Sequence, residues 1–383
     1  MDKTVLIISG EESGDSHGGA LISELKTLVP SLRVIGMGGE KLRQAGLEGI
    51  DSKELSVVGF VEVVKKFPEI RRAFNELKSK LDSEKVDCVI LVDYPDFNLR
   101  FAKEAKKRGI PVVFYISPQV WAWRAGRVKK IAKLVDKMLV VFPFELPIYE
   151  AEGVNVEFVG HPLTDSAVCG MTKLEAKDHF GYDKYESIVT LLPGSRSAEV
   201  ERMMPLMIEA AEQIKGVTRW KIRFIIPVAD SIDDAAIDGC IKDSLLDIKV
   251  VRGEMYAALR ASDAAVVTSG TATLETALIG TPMLIVYKLS NLSYLIGRAL
   301  IGVKSVGLPN IIAGRPFVPE LLQWKATPLK VCEEVISLLE DSMAIDTATE
   351  GYSEIKEKLG EGGASIKAAK AVYEFLGGAA GNS

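Results

Sequence analysis

A series of short, continuous apolar runs separated by stretches of helical periodicity most constrains the fold of this chain. Strands that are apolar on both faces are typical of parallel sheets covered by helices on both sides. The two series of predicted strands imply two doubly wound, Rossmann-like α/β domains. They cover residues 5–9, 33–35, 88–92, 112–115 and 138–141 in the first half, and 188–192, 222–226, 248–250, 264–267 and 283–286 in the second.

The length of 383 residues suits this division into two domains. We expect an N-terminal domain over residues 1–165 and a second domain over residues 166–350. A helical tail over residues 351–383 should then pack back on the first domain or on a partner chain. In the first domain, helices are predicted at 18–28 and 99–108.

Composition narrows the class of protein. A net charge of -5 argues against broad binding to nucleic acid. The chain has four scattered cysteines without a C-x-x-C pair, which fit buried thiols in a reducing compartment better than disulfides or a zinc site. It begins with a strand pattern instead of a signal peptide, and no run approaches the roughly 20 apolar residues of a spanning helix. These features predict a cytoplasmic protein and leave association with a membrane surface open.

A loop of small residues, Ser269, Gly270 and Thr271, follows the predicted strand 264–267 and starts the next helix. Unpaired backbone N–H groups at a helix start favour an anion such as a diphosphate. Glu275 comes one turn later, where its carboxylate can accept hydrogen bonds from ribose hydroxyls. The segment therefore indicates a nucleotide-sugar site, with an ordinary strand–helix turn as the alternative.

A second loop of this kind follows the predicted strand 188–192. Gly194 and Ser195 permit close approach of the backbone, and Arg196 offers a rigid fork for phosphate oxygens. Two phosphate-binding loops in one domain favour the nucleotide-sugar interpretation over either loop alone. The later segment 307–315 carries Asn310 and could close over a ligand, although its composition fits a plain loop equally well.

Carboxylates dominate the loop at residues 10–19, which follows the first predicted strand. The loop lacks the G-K-[ST] of a P-loop, and its acidic side chains would repel a phosphate. It suits sugar hydroxyls or a general-base role better. The alternative is a solvated turn in which Asp15 or Ser16 caps the next helix.

Asp93 and Asp96 follow the predicted strand 88–92, and Asn98 stands at the start of the next helix. Two carboxylates at the carboxyl edge of a sheet are candidates for deprotonating a hydroxyl. The alternative is two capping residues in a turn, with Asn98 as the N-cap of the helix. Because the chain has no D-x-D triplet, no metal-clamped diphosphate is predicted.

Two apolar segments raise the question of a lipid ligand. Trp121 and Trp123 lie in one loop after a predicted strand, followed at once by Arg124 and further cations. They could stack on a sugar or shield an acyl chain, and core packing is the alternative. The segment 57–67 is unusually apolar and cation-flanked; core packing competes there with an acceptor groove or a shallow membrane contact.

Seven segments in this order resemble one family closely, the lipid-A-disaccharide synthases, which are glycosyltransferases of the GT-B type. Each segment alone is weak, but seven collinear matches across nearly the whole chain are specific. The matching segments are GEESGD at 10–15, DYPDFN at 93–98, SPQVWAWR at 117–124, GHP at 160–162, LLPGSR at 191–196, SGT at 269–271 with Glu275, and LPN at 308–310 with GR at 314–315.

The resemblance implies two facing α/β domains with a cleft between them. The donor would be UDP-2,3-diacylglucosamine on the second domain, and the acceptor 2,3-diacylglucosamine 1-phosphate, presented from the membrane surface to the first. The product would be the β(1→6) disaccharide 1-phosphate with release of UDP. A cytoplasmic enzyme at the face of the inner membrane is implied, without a cofactor, a metal or nucleic acid, and a homodimer is left open.

Roles are assigned from the positions of the loops together with the resemblance. An inverting reaction needs a base on the acceptor hydroxyl, which we assign to Asp96, with Glu11 and Asp93 orienting the acceptor. The expected donor contacts are Gly194, Ser195, Arg196, Ser269, Gly270, Thr271, Glu275 and Asn310. The expected acceptor or lipid contacts are Ser13, Val58, Phe60, Asn98, Trp121, Trp123 and Arg124.

Two other functions fit the same loops. One is another GT-B-like enzyme of UDP-sugars, such as a UDP-N-acetylglucosamine 2-epimerase, which would not need the apolar segments for acyl chains. The other is a UDP-sugar-binding protein without catalytic activity. The retention of every candidate polar group in the loops argues against the second.

Overall fold

The computed structural model describes residues 3–52, 67–121, 125–289 and 305–379. The chain divides into two compact units. The first contains Met1–Pro162 together with Glu361–Ser383, and the second contains Leu163–Gly360. The final helix, Ala364–Ala379, packs on the first helix of the chain, Glu12–Leu28, so the end of the chain returns to the first unit.

The first unit is built on a seven-stranded parallel sheet with the order β3-β2-β1-β4-β5-β6-β7. Its strands are β1 Thr4–Ser9, β2 Arg33–Gly38, β3 Leu47–Asp51, β4 Cys88–Val92, β5 Val112–Tyr115, β6 Lys137–Val140 and β7 Val156–Phe158. Its helices are α1 Glu12–Leu28, α2 Glu40–Gln44, α3 Phe67–Ser83, α4 Pro95–Lys107, α5 Val128–Ala132, α6 Leu146–Glu150 and α16 Ala364–Ala379.

The second unit is built on a six-stranded parallel sheet with the order β10-β9-β8-β11-β12-β13. Its strands are β8 Ser187–Leu192, β9 Ile222–Val228, β10 Ile248–Arg252, β11 Ala264–Thr268, β12 Met283–Tyr287 and β13 Glu320–Leu322. Its helices are α7 Leu163–Ser166, α8 Lys173–His179, α9 Ser197–Val217, α10 Asp234–Ile241, α11 Met255–Ala261, α12 Thr271–Ile279, α13 Leu308–Ala313, α14 Pro328–Glu340 and α15 Ser342–Leu359.

The prediction of two doubly wound parallel-sheet domains is confirmed. In each sheet the chain starts in the middle, winds out to one edge and then returns past the first strand. The strand order therefore reverses between β1 and β4 in the first unit and between β8 and β11 in the second. The central strands are buried along their whole length, as their continuous apolar sequences predict.

Sequence periodicity missed three strands, β3, β7 and β13, which all lie at the edges of the two sheets. Their residues are mostly half-buried or exposed, so they lack the continuous apolar run that identifies a central strand. The first helix was also placed too late: α1 begins at Glu12, six residues before the predicted start at 18. Among the described residues, no helix is long and apolar enough to span a membrane.

A close approach of backbones fixes the register of β1, β2 and β3. Ile7 pairs with Gly36, and Gly36 pairs with Gly49. A Cβ atom on Gly36 would lie 1.9 Å from the carbonyl oxygen of Ile7, and Gly36 has a φ of 140°, which side chains disfavour. Only glycine fits at this position of the central sheet.

Replacing Gly36 with alanine should lower the free energy of unfolding by about 3 kcal/mol, because the rigid strand β1 cannot move away from the new methyl group. Chemical denaturation monitored by circular dichroism measures the loss. Gly216→Ala is the control, because its added Cβ meets nothing within 4 Å in helix α9. Equal stability of the two variants would contradict the packing described here.

Candidate functional site

A cavity of about 790 Å³ lies in the second unit. It is lined by the segments that follow β8, β9, β10 and β11, and the order of the strands reverses between β8 and β11. Open α/β sheets bind ligands at this point, beyond the carboxyl ends of the strands. Seven of the eight expected donor contacts line the cavity: Gly194, Ser195, Arg196, Ser269, Gly270, Thr271 and Glu275.

Helix α12 directs its N-terminus into this cavity. Gly270 is its N-cap residue, Thr271 its first residue, and the first turn contains no acidic side chain. The hydroxyl of Thr273 donates to the carbonyl oxygen of Gly270 at 2.7 Å, and that of Ser269 donates to the carbonyl oxygen of Val306 at 3.1 Å. Backbone N–H groups and the helix dipole therefore form a positive seat suited to a phosphate.

Arg196 also lines this cavity, in the loop after β8. Its guanidinium is exposed and donates to Glu199 at 3.0 Å. Gly194 has a φ of 116°, and a Cβ atom there would lie 2.6 Å from the Glu199 carboxylate, so glycine is required. Glu199 thus holds the arginine over the cavity, where the guanidinium is available for an anion.

Glu275 has a partner that the sequence reasoning missed. The hydroxyl of Tyr256, in helix α11, donates to the Glu275 carboxylate at 2.7 Å. Burial raises the pKa of Glu275, and the tyrosine hydrogen bond opposes that shift. Tyr256 could have been found from its location just after β10, because ligands of parallel α/β sheets bind beyond the carboxyl ends of the strands.

Asn310 does not present its side chain to a ligand, contrary to the sequence expectation. It is buried, its amide nitrogen donates to the carbonyl oxygen of Val318 and to Glu320, and its amide oxygen accepts from the backbone N–H groups of Phe317 and Val318. Each of these four contacts is 2.8 or 2.9 Å long. All its hydrogen-bonding groups are used to fold the segment between α13 and β13.

The first unit brings its candidate residues together at the carboxyl edge of its sheet. Strands β1, β4 and β5 are neighbours, so the segments that follow them meet at one place. Three residues there, Asp93, Tyr94 and Ile116, have positive φ values of 47°, 46° and 63°. Side chains disfavour this conformation, and such strain concentrates at functional sites.

Asp93 and Asp96 occupy different environments. Asp93 is half-buried, and burial followed by the charge of Glu11 raises the pKa of Asp93 to about 6. Asp96, in the first turn of α4, is 72% exposed and forms an ion pair with Arg127 at 2.6 Å. Asp96 is therefore the more accessible carboxylate, whereas the raised pKa of Asp93 suits a base at neutral pH.

Asn98, an expected acceptor contact, is fully buried beneath these carboxylates. Its amide nitrogen donates to the carbonyl oxygen of Val92 at 3.2 Å and to that of Asp93 at 2.7 Å. Through these two bonds the buried side chain supports the strained turn that presents Asp93. Its role toward the acceptor stays a prediction.

The acidic loop after β1 also divides into structural and available groups. Glu11 and Ser13 are exposed at the start of α1. Asp15 is buried and caps α2, accepting from the backbone N–H groups of Gly39, Lys41 and Leu42 at 2.6, 2.9 and 3.2 Å. The sequence alternative had Asp15 capping the helix that directly follows this loop. In the structure Asp15 lies within that helix, α1, and caps α2.

Trp121 packs in an aromatic cluster with Phe142 and Phe144 of the segment after β6. Its ring meets both phenylalanines edge to face, at centroid distances of 6.4 and 5.3 Å, and remains half-buried. His161 packs on Phe142 at 5.0 Å, and burial together with the nearby His17 lowers the pKa of His161 to about 3. His161 is therefore a neutral packing residue. The four expected lipid contacts Val58, Phe60, Trp123 and Arg124 lie outside the described residues.

Residues 5–373 match the family model described as Lipid-A-disaccharide synthetase. The chain is 46% identical over 378 residues to the lipid-A-disaccharide synthase of Geobacter metallireducens, covering 98% of both chains. It is 44% identical over 359 residues to that of Nitrosococcus oceani, covering 94% of this chain and 92% of the relative. The chain belongs to the lipid-A-disaccharide synthase family. It is therefore a glycosyltransferase of lipid A biosynthesis.

Solved structures agree with the fold. One is a UDP-GlcNAc 2-epimerase from Neisseria meningitidis bound to UDP-GlcNAc, with a TM-score of 0.64 at 15% identity and coverage of 97% of this chain and 99% of that one. Another is CalG4, the calicheamicin glycosyltransferase, with a TM-score of 0.59 at 15% identity and 98% coverage of both chains. At this identity the similarity shows a shared GT-B architecture and nothing about the substrate.

Replacing Asp15 with alanine should lower the free energy of unfolding by about 3 kcal/mol, because three backbone N–H groups, two of them buried, lose their acceptor. Asp15→Asn, which keeps one acceptor oxygen, should lose less. Thermal or urea denaturation measures both values. Glu12→Ala, an exposed change in the same helix, is the control, and an equal loss there would contradict the structural role of Asp15.

Proposed function

We propose that this glycosyltransferase joins UDP-2,3-diacylglucosamine to 2,3-diacylglucosamine 1-phosphate, giving the β(1→6) disaccharide 1-phosphate and UDP. The observation that carries the proposal is the cavity of the second unit. There, the α12 N-terminus and Arg196 offer positive groups to a diphosphate, and Glu275 offers an acceptor to sugar hydroxyls.

The reaction would proceed by a single displacement with inversion. The 6-hydroxyl oxygen of the acceptor attacks C1 of the donor sugar and forms the new C–O bond. The bond from C1 to the diphosphate breaks, and its electron pair leaves with UDP. Arg196 and the backbone N–H groups at Thr271 stabilise the charge that develops on the diphosphate. The hydroxyl proton passes to a carboxylate of the first unit.

Asp96 is the proposed base, because it is the exposed carboxylate at the edge of the first sheet. Asp93 and Glu11 are the proposed orienting groups. The ion pair with Arg127 fixes the Asp96 carboxylate in one position and has to loosen, or be shared, when it takes up a proton. No divalent ion is required, since Arg196 and the helix N-terminus supply the positive charge.

The acyl chains of both substrates place the reaction at a membrane surface, which we propose to be the cytoplasmic face of the inner membrane. The half-buried Trp121 and its aromatic neighbours are the proposed contact for the lipid part of the acceptor. The four lipid contacts outside the described residues remain predictions from the sequence.

The decisive experiment is incubation of the purified protein with the two acylated substrates in excess EDTA, followed by mass spectrometry. Formation of the disaccharide phosphate together with UDP supports the proposal. Turnover of unacylated UDP-N-acetylglucosamine alone would favour the epimerase-type alternative, whose fold is similar. Strict dependence on a divalent ion would overturn the metal-free mechanism.

Replacing Asp96 with asparagine should lower kcat by about 100-fold or more and leave both KM values nearly unchanged, because only proton removal is lost. Asp93→Asn should have a smaller effect and remove the acid limb of the pH–rate profile. Since the carboxylate of Asp93 forms above pH about 6, that limb should fall as the pH drops through 6. Steady-state kinetics from pH 5 to about 8 provides the measurement.

Asp82→Asn is the matched control, because Asp82 is another exposed aspartate of the first unit in an ion pair with an arginine, Arg108. Its rate should match that of the wild type. If Asp96→Asn kept its activity while Asp93→Asn lost it, the base would be Asp93.

Replacing Tyr256 with phenylalanine should weaken UDP binding about tenfold, because Glu275 loses the hydrogen bond that holds its carboxylate. Isothermal titration calorimetry with UDP measures the affinity, and KM for the donor should rise in parallel. Tyr352→Phe, a buried tyrosine of the same unit that does not line the cavity, should bind UDP normally. Normal binding by Tyr256→Phe would remove Glu275 from the nucleotide site.

A further inference from the structure

A buried carboxylate of the first unit, Glu145, has no part in the mechanism proposed above. It ends the short 3-10 turn Pro143–Glu145 after β6, and only 1% of the residue is exposed. Burying a carboxylate is costly unless hydrogen bonds satisfy it. The hydrogen bonds that satisfy the buried Glu145 carboxylate therefore indicate its role.

The two contacts of Glu145 come from different segments. One carboxylate oxygen accepts from the hydroxyl of Ser117, which is itself buried in the segment after β5. The other accepts from the backbone N–H of Phe142, at 3.1 Å, in the segment after β6. Because β5 and β6 are neighbouring strands, Glu145 ties together two adjacent loops at the carboxyl edge of the sheet.

These two loops carry the aromatic cluster. Trp121 lies four residues after Ser117, and its ring packs edge to face on Phe142 and Phe144. Those two phenylalanine rings are stacked with a centroid distance of 5.3 Å. The hydrogen bond from Ser117 to Glu145 is a buried side-chain link between the two loops at the base of the cluster.

The backbone adds a second indication. Ile116, directly before Ser117, has a positive φ of 63°, a conformation that is unfavourable for a β-branched side chain. Strain of this kind persists only when neighbouring contacts hold the chain in place. The buried contact to Glu145, one residue later, is suited to holding it.

We propose that Glu145 is a positioning residue. Through Ser117 it holds the segment after β5 in place, so that Trp121 can contact the lipid part of the acceptor. The proposal deepens the proposed function and rests on it for the identity of the acceptor. Glu145 does not touch the substrate, so its removal should affect acceptor binding and leave the donor site of the second unit unchanged.

The burial of Glu145 also indicates which substitution should preserve its role. Burial raises the pKa of Glu145 to about 7, so its uncharged form is readily reached near neutral pH. Glutamine has the same shape; its oxygen can accept from Phe142 and its amide nitrogen can donate to Ser117. Glu145→Gln should therefore rescue what Glu145→Ala loses.

The kinetic test compares Glu145→Ala, Ser117→Ala and Glu145→Gln in the full-length enzyme. The first two should raise KM for the acceptor about tenfold, since each removes a hydrogen bond to a charged group, with KM for the donor within about twofold of wild type. Glu145→Gln should remain within about threefold for both substrates. The controls are Ser262→Ala and Glu186→Gln, which alter a buried hydroxyl and a buried carboxylate of the second unit.

A spectroscopic test does not depend on turnover. Replacing Trp220 and Trp324 with phenylalanine leaves only Trp121 and Trp123 as tryptophans. In this background, Ser117→Ala should increase acrylamide quenching of tryptophan fluorescence, whereas Ser262→Ala should not. Because Ser117→Ala leaves the Phe142 contact in place, it remains informative if Glu145→Ala fails to fold.

The outcomes separate two failures. If the wild type does not form the disaccharide but Ser117→Ala still increases quenching, the proposed function fails and the loop-positioning role stands. If turnover is normal while Ser117→Ala and Glu145→Ala leave both the acceptor KM and the quenching unchanged, the positioning role is overturned. A parallel rise of donor and acceptor KM would also overturn it, because it would indicate general loss of structure.

Discussion

Parallel pairing of strands is the constraint on which the rest of this structure depends. When neighbouring strands run in the same direction, each crossover must carry the chain from the carboxyl end of one strand to the amino end of the next. The segments that directly follow the strands therefore all lie at the carboxyl edge of the sheet. In both units the order of the strands reverses beside the first strand, and at that reversal the flanking helices separate. The strained turn at Asp93 and the α12 N-terminus lie beside these two reversals.

The two units place opposite electrostatic properties at corresponding positions. The second unit presents backbone N–H groups, a helix N-terminus without acidic side chains and the exposed Arg196. The first unit presents Glu11, Asp93 and Asp96, and burial keeps the pKa of Asp93 near neutrality. A glycosyl transfer needs both properties, because negative charge leaves on the donor while a proton leaves the acceptor.

Several polar residues of the motifs turn out to build the site instead of lining it. Asp15 caps a helix, Asn98 supports the turn at Asp93, and Asn310 closes a loop of the second unit. A family motif therefore contains two kinds of residue: some could contact the substrate, and others hold the first kind in position. Glu145 extends this second group beyond the motifs, because it is buried between two of the loops that the motifs identify.

The sequence alone determined the fold class, the positions of the central strands and the two loops suited to phosphate. Continuous apolar runs and small-residue turns are local properties, so they can be read without knowing which parts of the chain meet. Edge strands such as β3 escaped prediction because their exposure depends on the neighbours that they lack. Only the tertiary structure assigned Asp15 to α2 and Tyr256 to Glu275, since hydrogen-bond partners and burial are set by residues distant along the chain.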